Sequence, residues 1–290
     1  MSKSIACIIT CTDDKHIHNC VNSIALSNRK IDLSCFILLQ NNLNFSFDSY
    51  ITEKTNFFVY HCENVIPLSS ARNILLREAL KVHFDYYMFP DDDSLFDSYF
   101  FSNFEKYISG NTLIAVKATQ DRQSFFIKMP NKQFADSRDY HFAISVNMII
   151  KSDVIKKVVF FDEKLGVGNY YGAGEDNDYF LRCIKYDSFT FSNKIWNYHP
   201  LQKNNHNLPI ELLKKRYKSY GRGVIYMLVK HKMYLSACLL VCKGYCGAVI
   251  SILKLNLKMT YIYIIAGNER LRTLIRCLNK KIIERSLRNL

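Results

Sequence analysis

Apolar residues run in short blocks along the first ninety positions, and each block is closed by polar ones. Residues 4–10 (Ser-Ile-Ala-Cys-Ile-Ile-Thr) are apolar and β-branched and predict a first buried strand. Residues 16–27 place Ile17, Cys20, Val21 and Ile24 on one helical face. Residues 33–39 predict a second strand, stopped by Gln40-Asn41-Asn42, and 56–61 a short third one. Residues 69–82 carry Ala71, Ile74, Leu75 and Ala79 at helical spacing behind a Ser69-Ser70 cap, and 85–89 form a fourth strand. Strands alternating with helices predict an α/β sheet with parallel strands, whose ligands bind beyond the carboxyl ends of the strands. One topology collects Thr10-Cys11-Thr12-Asp13, Gln40-Asn41-Asn42 and Asp91-Asp92-Asp93 on the same edge as a nucleotide crevice.

The second half of the body is more mixed. Residues 112–118 and 143–150 are strand candidates, 152–159 a short helix, and 179–185 a helical stretch after the glycine-rich loop 166–174. After His199-Pro200 the chain changes character. Residues 212–229 are basic and aromatic, and 234–253 are nearly uncharged, broken by Lys243, Gly244 and Gly247. Twenty such residues have the length of a bilayer span, but a central lysine and two glycines favour a helix lying in the membrane plane, its bases reaching acidic headgroups. The reading is an α/β body over 1–200 and a helical, membrane-associating region over 201–290.

Charge supports that division. Residues 201–290 hold 18 Lys/Arg against 3 Asp/Glu, net +15, while 1–200 hold 21 against 23, net −2. The tail interleaves its bases with aliphatic runs more than with exposed aromatics, which favours a membrane over a nucleic acid as partner. Ten cysteines lack any framework spacing and mostly lie in apolar stretches, predicting reduced, buried thiols in a cytosolic protein without a signal peptide. Cys238, Cys242 and Cys246 share a helix face, where packing by small residues explains the spacing as well as a metal would.

The strongest chemical signal is Asp91-Asp92-Asp93 at the end of the apolar run 86–90. Three adjacent carboxylates repel one another, so a fold that holds them at a buried strand end needs positive charge nearby. A divalent metal with oxygen ligands supplies it and can grip a diphosphate. A glycosidase also pairs carboxylates, but three adjacent acids after a strand suit metal ligation better.

Six ordered motifs carry a resemblance over roughly residues 4–225. They are the turn 10–14, Ala71-Arg72-Asn73, Asp91-Asp92-Asp93, the segment 161–166 (Phe-Asp-Glu-Lys-Leu-Gly), Gly174-Glu175-Asp176-Asn177-Asp178 and Tyr198-His199-Pro200, followed by Tyr220-Gly221-Arg222-Gly223. In this order the chain resembles a family 2 glycosyltransferase of the bacterial cell-surface polysaccharide type. The resemblance implies a GT-A fold, a Rossmann-like mixed sheet flanked by helices. It also implies an inverting, Mn²⁺- or Mg²⁺-dependent transfer from a nucleoside-diphosphate sugar, a UDP-sugar foremost. The acceptor would be a lipid-linked saccharide for O-antigen, capsule or another surface polysaccharide, and the place the inner face of the cell membrane.

Residue by residue, the resemblance implies Asp93 as metal ligand, with Asp91 beside it. Asp91 or Asp92 would contact ribose or sugar, and His199 the metal or a phosphate. Asp176 is the first choice for the base that takes the acceptor proton, Glu175 the second and Asp178 a weaker third. Acids at a helix N-terminus are also favoured electrostatically, so Glu175-Asp176 has a structural reading too. Arg72 would meet the nucleotide or balance the carboxylates. Thr10, Thr12 and Asp13 would face the nucleoside. Gln40-Asn41 stand where the family often has an acid, and their amides can bond a base or ribose. Asn147, Gly174 and Asp178 would lie near donor sugar and acceptor, while Asp162-Glu163 read as structural or as acceptor contacts. A sugar-nucleotide nucleotidyltransferase would show a basic, glycine-rich loop after the first strand, where this chain has Thr10-Cys11-Thr12-Asp13-Asp14. A non-enzymatic basic membrane- or nucleic-acid-binding protein remains the other alternative.

Overall fold

Seven strands form one sheet in a computed structural model that describes residues 3–28, 30–108, 112–118, 129–199 and 208–288. The strands are β1 (Ser4–Cys11), β2 (Asp32–Gln40), β3 (Thr55–Cys62), β4 (Tyr86–Met88), β5 (Thr112–Ala118), β6 (Met148–Lys151) and β7 (Phe189–Tyr198). The helices are α1 (Ile17–Ser27), α2 (Leu68–Ala79), α3 (Ser98–Tyr107), α4 (Ser152–Val158), α5 (Glu175–Cys183), α6 (Ile210–Lys230), α7 (Tyr234–Leu253) and α8 (Leu257–Arg288). Strand order is β3-β2-β1-β4-β6-β5-β7. β1 pairs parallel with β2 and β4, β2 with β3, and β5 with β7, while β6 runs antiparallel to β4 and β5. The carboxyl ends of β1, β2, β4 and β7 and the start of β6 therefore share one edge.

The period-two alternation of the strands builds the core. Ile5, Cys7 and Ile9 of β1 and Leu33, Cys35, Ile37 and Leu39 of β2 pack in one cluster with Ile17, Cys20, Val21 and Ile24 of α1 and Phe100, Phe101 and Phe104 of α3. On α2, Ala71, Leu75, Leu76 and Ala79 are buried, and this helix packs on β1 and β2.

Several expectations are corrected. The strand expected over 143–150 is a 3-10 turn at Ser145–Asn147 followed by the short β6. Asn147 fixes that turn, accepting from the Ile144 amide at 3.0 Å and donating to the Phe142 carbonyl at 3.0 Å. α5 begins at Glu175, earlier than expected. α3 was not anticipated, although Asp97 caps it by accepting from the Phe100 amide at 2.8 Å. β7 was not anticipated either, because its polar interior Ser192-Asn193-Lys194 breaks the alternation, and the register against β5 shifts there. The cysteines divide. Cys7, Cys11, Cys20, Cys35 and Cys183 are buried as expected, but Cys238, Cys242 and Cys246 are exposed on α7, so they do not pack a core.

The chain falls into two compact units, 1–161 with 179–201, and 162–178 with 202–290. The sequence reading kept 162–178 with the body, whereas here it packs with the C-terminal helices. Gly223 is the reason this works. A Cβ there would lie 2.2 Å from the Ala173 carbonyl oxygen, so only glycine lets α6 approach the loop. Arg222 ties the same loop, donating to the Tyr170 carbonyl at 2.9 Å, lying 4.0 Å over the Tyr170 ring and pairing with Glu269 at 2.9 Å.

Candidate active site

The Asp triplet leaves β4 through Phe89-Pro90 and turns at once, the Ser94 amide donating to the Asp91 carbonyl at 3.0 Å. The turn sends alternate side chains in different directions. Asp91 and Asp93 converge on His199, which follows β7. His199 Nε2 lies 2.8 Å from Asp93 Oδ1 and 3.6 Å from Asp91 Oδ2. A two-residue bridge holds the approach, with the Leu95 amide donating to the Tyr198 carbonyl at 2.8 Å and the Tyr198 amide to the Leu95 carbonyl at 3.2 Å. Pro200, the last residue of that motif, lies outside the described residues.

Asp92 points instead towards Cys11 at the end of β1. Burial, with Asp91 and Asp93 adding negative charge beside it, pushes the Asp92 carboxyl up to about 6 despite a hydrogen bond from Cys11. The Cys11 thiol is pushed up to about 12, by burial first and Asp92 second.

Arg72 supplies a buried positive charge. Its Nη2 donates to Ser145 Oγ at 2.8 Å and lies 3.5 Å from Asp91 Oδ1, and its guanidinium sits 5.3 Å from the Phe161 ring centre. Asn73 explains the rest of that motif. Its amide donates to the Phe161 carbonyl at 3.1 Å and accepts from the Phe161 amide at 2.8 Å, pinning Phe161 to α2.

Asp91, Asp93 and His199 form the one group of three or more potential metal ligands found among the described residues, with ligand atoms within 4.8 Å of one another. Asp93 Oδ1 is buried and makes no hydrogen bond among the described residues, with His199 Nε2 2.8 Å away. A carboxylate oxygen left in that state is costly unless a cation takes it. Two carboxylates and an imidazole suit Mn²⁺ or Mg²⁺, so the residues fit the expected ion.

The other expected site residues lie as follows. Thr10 is half-buried at the end of β1, and Thr12 and Asp13 are exposed just beyond it. Gln40 is buried and accepts from the Ile66 amide at 2.9 Å, while Asn41 and Asn42 turn the chain with φ of 61° and 54°. These groups and the Asp triplet share the sheet edge. In the second unit, Gly174 takes a φ of 90° immediately before α5. Glu175 is buried there and Asp176 half-buried. Asp178 is wholly buried, its Oδ1 2.7 Å from Lys230 Nζ and 2.8 Å from His231 Nε2, and Lys230 also reaches Asp162 at 2.7 Å. Lys230 and His231 were missed at the sequence level, since a basic pair at the end of a basic helix carries no distinguishing signal.

No protein-family model matches the chain, and no curated protein does. Solved structures do. A crystal structure of S. aureus TarS aligns with a TM-score of 0.53 at 14% identity, over 75% of this chain and 39% of that one. The TarS 1-349 fragment in complex with UDP-GlcNAc aligns with a TM-score of 0.55 at 12% identity, over 94% and 90%. The mannosyltransferase PcManGT from Pyrobaculum calidifontis, in complex with GDP-Man and Mn²⁺, aligns with a TM-score of 0.54 at 11% identity, over 93% and 88%. The fold is that of GT-A glycosyltransferases: a mixed, mainly parallel sheet flanked by helices, with further helices at the C-terminus.

Proposed function

We propose that this chain is an inverting, metal-dependent glycosyltransferase of family 2. It would move a sugar from a nucleoside-diphosphate donor, a UDP-sugar first, to a hydroxyl of a lipid-linked saccharide in surface-polysaccharide synthesis. The observation that carries this reading is the convergence of Asp91, Asp93 and His199 on the carboxyl edge of a GT-A sheet. Neighbours of the same fold were crystallised with UDP-GlcNAc, and with GDP-Man and Mn²⁺, which supports a nucleotide sugar and a divalent ion here.

A divalent ion held by Asp91, Asp93 and His199 would neutralise the diphosphate as the bond between it and the anomeric carbon breaks. The chain does the remainder. Arg72 offsets the charge of Asp91 and fixes its carboxylate. Thr10, Thr12, Asp13 and Asn41 border the nucleoside end of the edge. The acceptor hydroxyl attacks the anomeric carbon on the face opposite the leaving group, and the Asp176 carboxylate takes its proton. Asp176 is preferred to Glu175 because it is the more open of the two. Asn147 and Asp178 are assigned to the framework, since their polar atoms already serve their own turn and helix, while Gln40 gives its Oε1 to the Ile66 amide and stays on the donor edge through its amide nitrogen.

We further place the C-terminal unit on an anionic membrane surface at the cytoplasmic face. α7 supports this, because its large side chains face out while Ala237, Val241, Gly244, Ala248 and Ser251 face in. α7 is also long and apolar enough to cross a bilayer, with 28% of its apolar window buried.

The test is calorimetric titration with UDP, GDP, dTDP and CMP, with and without Mn²⁺. Binding of one nucleotide only with metal is the expected result. Binding of none would overturn the donor site.

A further inference from the structure

The second unit holds a cleft that the reaction above does not use. It has a volume of about 360 Å³, and its walls are the loop residues Val167, Gly168, Asn169 and Gly172 and one stripe of α6. That stripe is Leu212, Lys215, Arg216, Ser219 and Tyr220, spaced i, i+3, i+4, i+7 and i+8, so one helix face supplies the whole wall. Among the described residues the lining holds two cations and no carboxylate. Arg216 lies 4.9 Å from the Tyr220 ring centre, a stacking contact that holds the guanidinium on that stripe. Exposed Tyr220 and Leu212 add an apolar surface beside the two charges.

The loop wall is not a loose one. The Gly172 amide donates to the Ser219 carbonyl at 3.1 Å, Asn169 Nδ2 donates to the Leu165 carbonyl at 2.8 Å, and the Gly166 amide to the Tyr171 carbonyl at 2.9 Å. A side chain at Gly172 would meet Ser219 Oγ at 1.9 Å, so the loop approaches α6 as closely as a backbone can. The same loop runs directly into Gly174 and the acids opening α5.

We propose that this cleft binds a phosphate or diphosphate group of the acceptor, with the adjoining sugar or lipid segment against Tyr220 and Leu212. Lys215 gives a point charge and Arg216 a planar fork, the pairing that suits phosphate oxygens. Two sources share this chemistry, the diphosphate of a lipid-linked saccharide and a phosphate within a glycan chain. The inference rests on the transferase reading only for calling the ligand an acceptor.

The test titrates inorganic pyrophosphate and glucose 1-phosphate into the protein in EDTA, following heteronuclear NMR shifts of α6 and the loop, with UDP and Mn²⁺ titrated in parallel. Both probes are expected to shift residues 167–172 and 212–220. The double substitution Lys215→Ala with Arg216→Ala is expected to weaken them by about tenfold or more, the scale of a lost charge-assisted hydrogen bond. Binding of UDP with Mn²⁺ is expected to stay unchanged. Lys215→Glu, at an exposed position, gives a second variant that keeps Arg216 and the fold, and it must weaken pyrophosphate as well. A stronger response to pyrophosphate points to a lipid diphosphate, and a stronger response to glucose 1-phosphate to a phosphate within the glycan. Equal binding by wild type and variants, or no binding by wild type at millimolar probe, overturns the proposal. Loss of UDP binding with pyrophosphate binding intact would sink the transferase reading and leave the anion site standing.

Discussion

His199 Nε2 sits 2.8 Å from Asp93 Oδ1, although one residue follows the last strand of the sheet and the other follows the fourth. The sheet makes the meeting possible, because β4 and β7 end on the same edge, and the Leu95–Tyr198 bridge fixes the distance. Asp93→Ala is expected to lower metal-dependent nucleotide affinity by about a hundredfold or more, since even groups that only support a metal ligand are worth about 10–100-fold. His199→Ala should act in the same direction. EDTA should stop transfer, and Mn²⁺ or Mg²⁺ should restore it. Calorimetry with and without metal checks both, and an Asp93→Ala protein that binds nucleotide as before would remove Asp93 from the metal site.

Asp176→Ala separates proton removal from donor binding. Turnover should fall by about 10²–10⁴-fold, the contribution of a positioned base, while nucleotide affinity stays at the wild-type value. Glu175→Ala is expected to cost less turnover and more stability, because Glu175 is buried and Asp176 is half-open. Single-turnover kinetics beside nucleotide titration reads the two effects apart. Wild-type turnover by the Asp176 variant would end its assignment as base.

The edge of the site was legible because strand ends are local. Apolar runs closed by Thr10, Gln40 and Asp91 are visible in one dimension, and parallel pairing then places them together. Arg72 was legible as a candidate for balancing the carboxylates, and it lies 3.5 Å from Asp91. What was hidden depends on contacts between distant segments. Nothing in residues 162–178 announces that they pack on α6, since the cue is the absence of a side chain at Gly223. Asp178 was read with the acceptor group and as a third choice of base, and its partners Lys230 and His231, from the far end of α6, were not foreseen. The cysteines of α7 were expected inside because composition cannot tell which side of an apolar helix faces its neighbour.

Asp178 therefore bears on stability. Asp178→Ala removes the carboxylate that Lys230 and His231 share, but Lys230 keeps Asp162, so the expected loss is about 1.5–3 kcal/mol, the scale of a hydrogen bond to a charged group. Asp178→Asn keeps an acceptor and should lose about half as much. The shift of the urea midpoint measures both. If Asp178→Ala unfolds at the wild-type midpoint, the pairing contributes nothing.

Gly223 and Gly221 give a paired test on one helix. An alanine gains about 0.5–1 kcal/mol of helix propensity at either position. At Gly223 the new Cβ would meet the Ala173 backbone at 2.2 Å, and overpacking of about 1–3 kcal/mol outweighs the gain. At Gly221 the nearest atom is Arg270 Cγ at 3.1 Å, a side chain that need give only a few tenths of an ångström, so the change should cost much less than at Gly223. Gly223→Ala should also slow transfer, since the displaced loop leads into Glu175 and Asp176. Thermal melts and steady-state rates distinguish the two variants, and equal melting temperatures would disprove the close approach.

The outer face of α7 sets the last expectation. Leu235, Leu239, Val249, Ile250 and Leu253 are each more than half exposed and lie on one stripe with Cys238, Cys242 and Cys246. No acidic residue occurs over 212–268, so nothing there repels an anionic surface, and Lys243, Lys254 and Lys258 flank or follow the stripe. Each leucine moved from water into lipid is worth about 1.5–3 kcal/mol, and each base near an anionic surface about 1 kcal/mol. Leu239→Asp with Leu253→Asp should therefore weaken binding to phosphatidylserine vesicles by more than about a hundredfold. High salt should weaken the wild type only in part, because screening removes the charge contribution and leaves the apolar one. Vesicle co-sedimentation at low and high salt separates the two. Undiminished binding by the double variant would move the contact off α7.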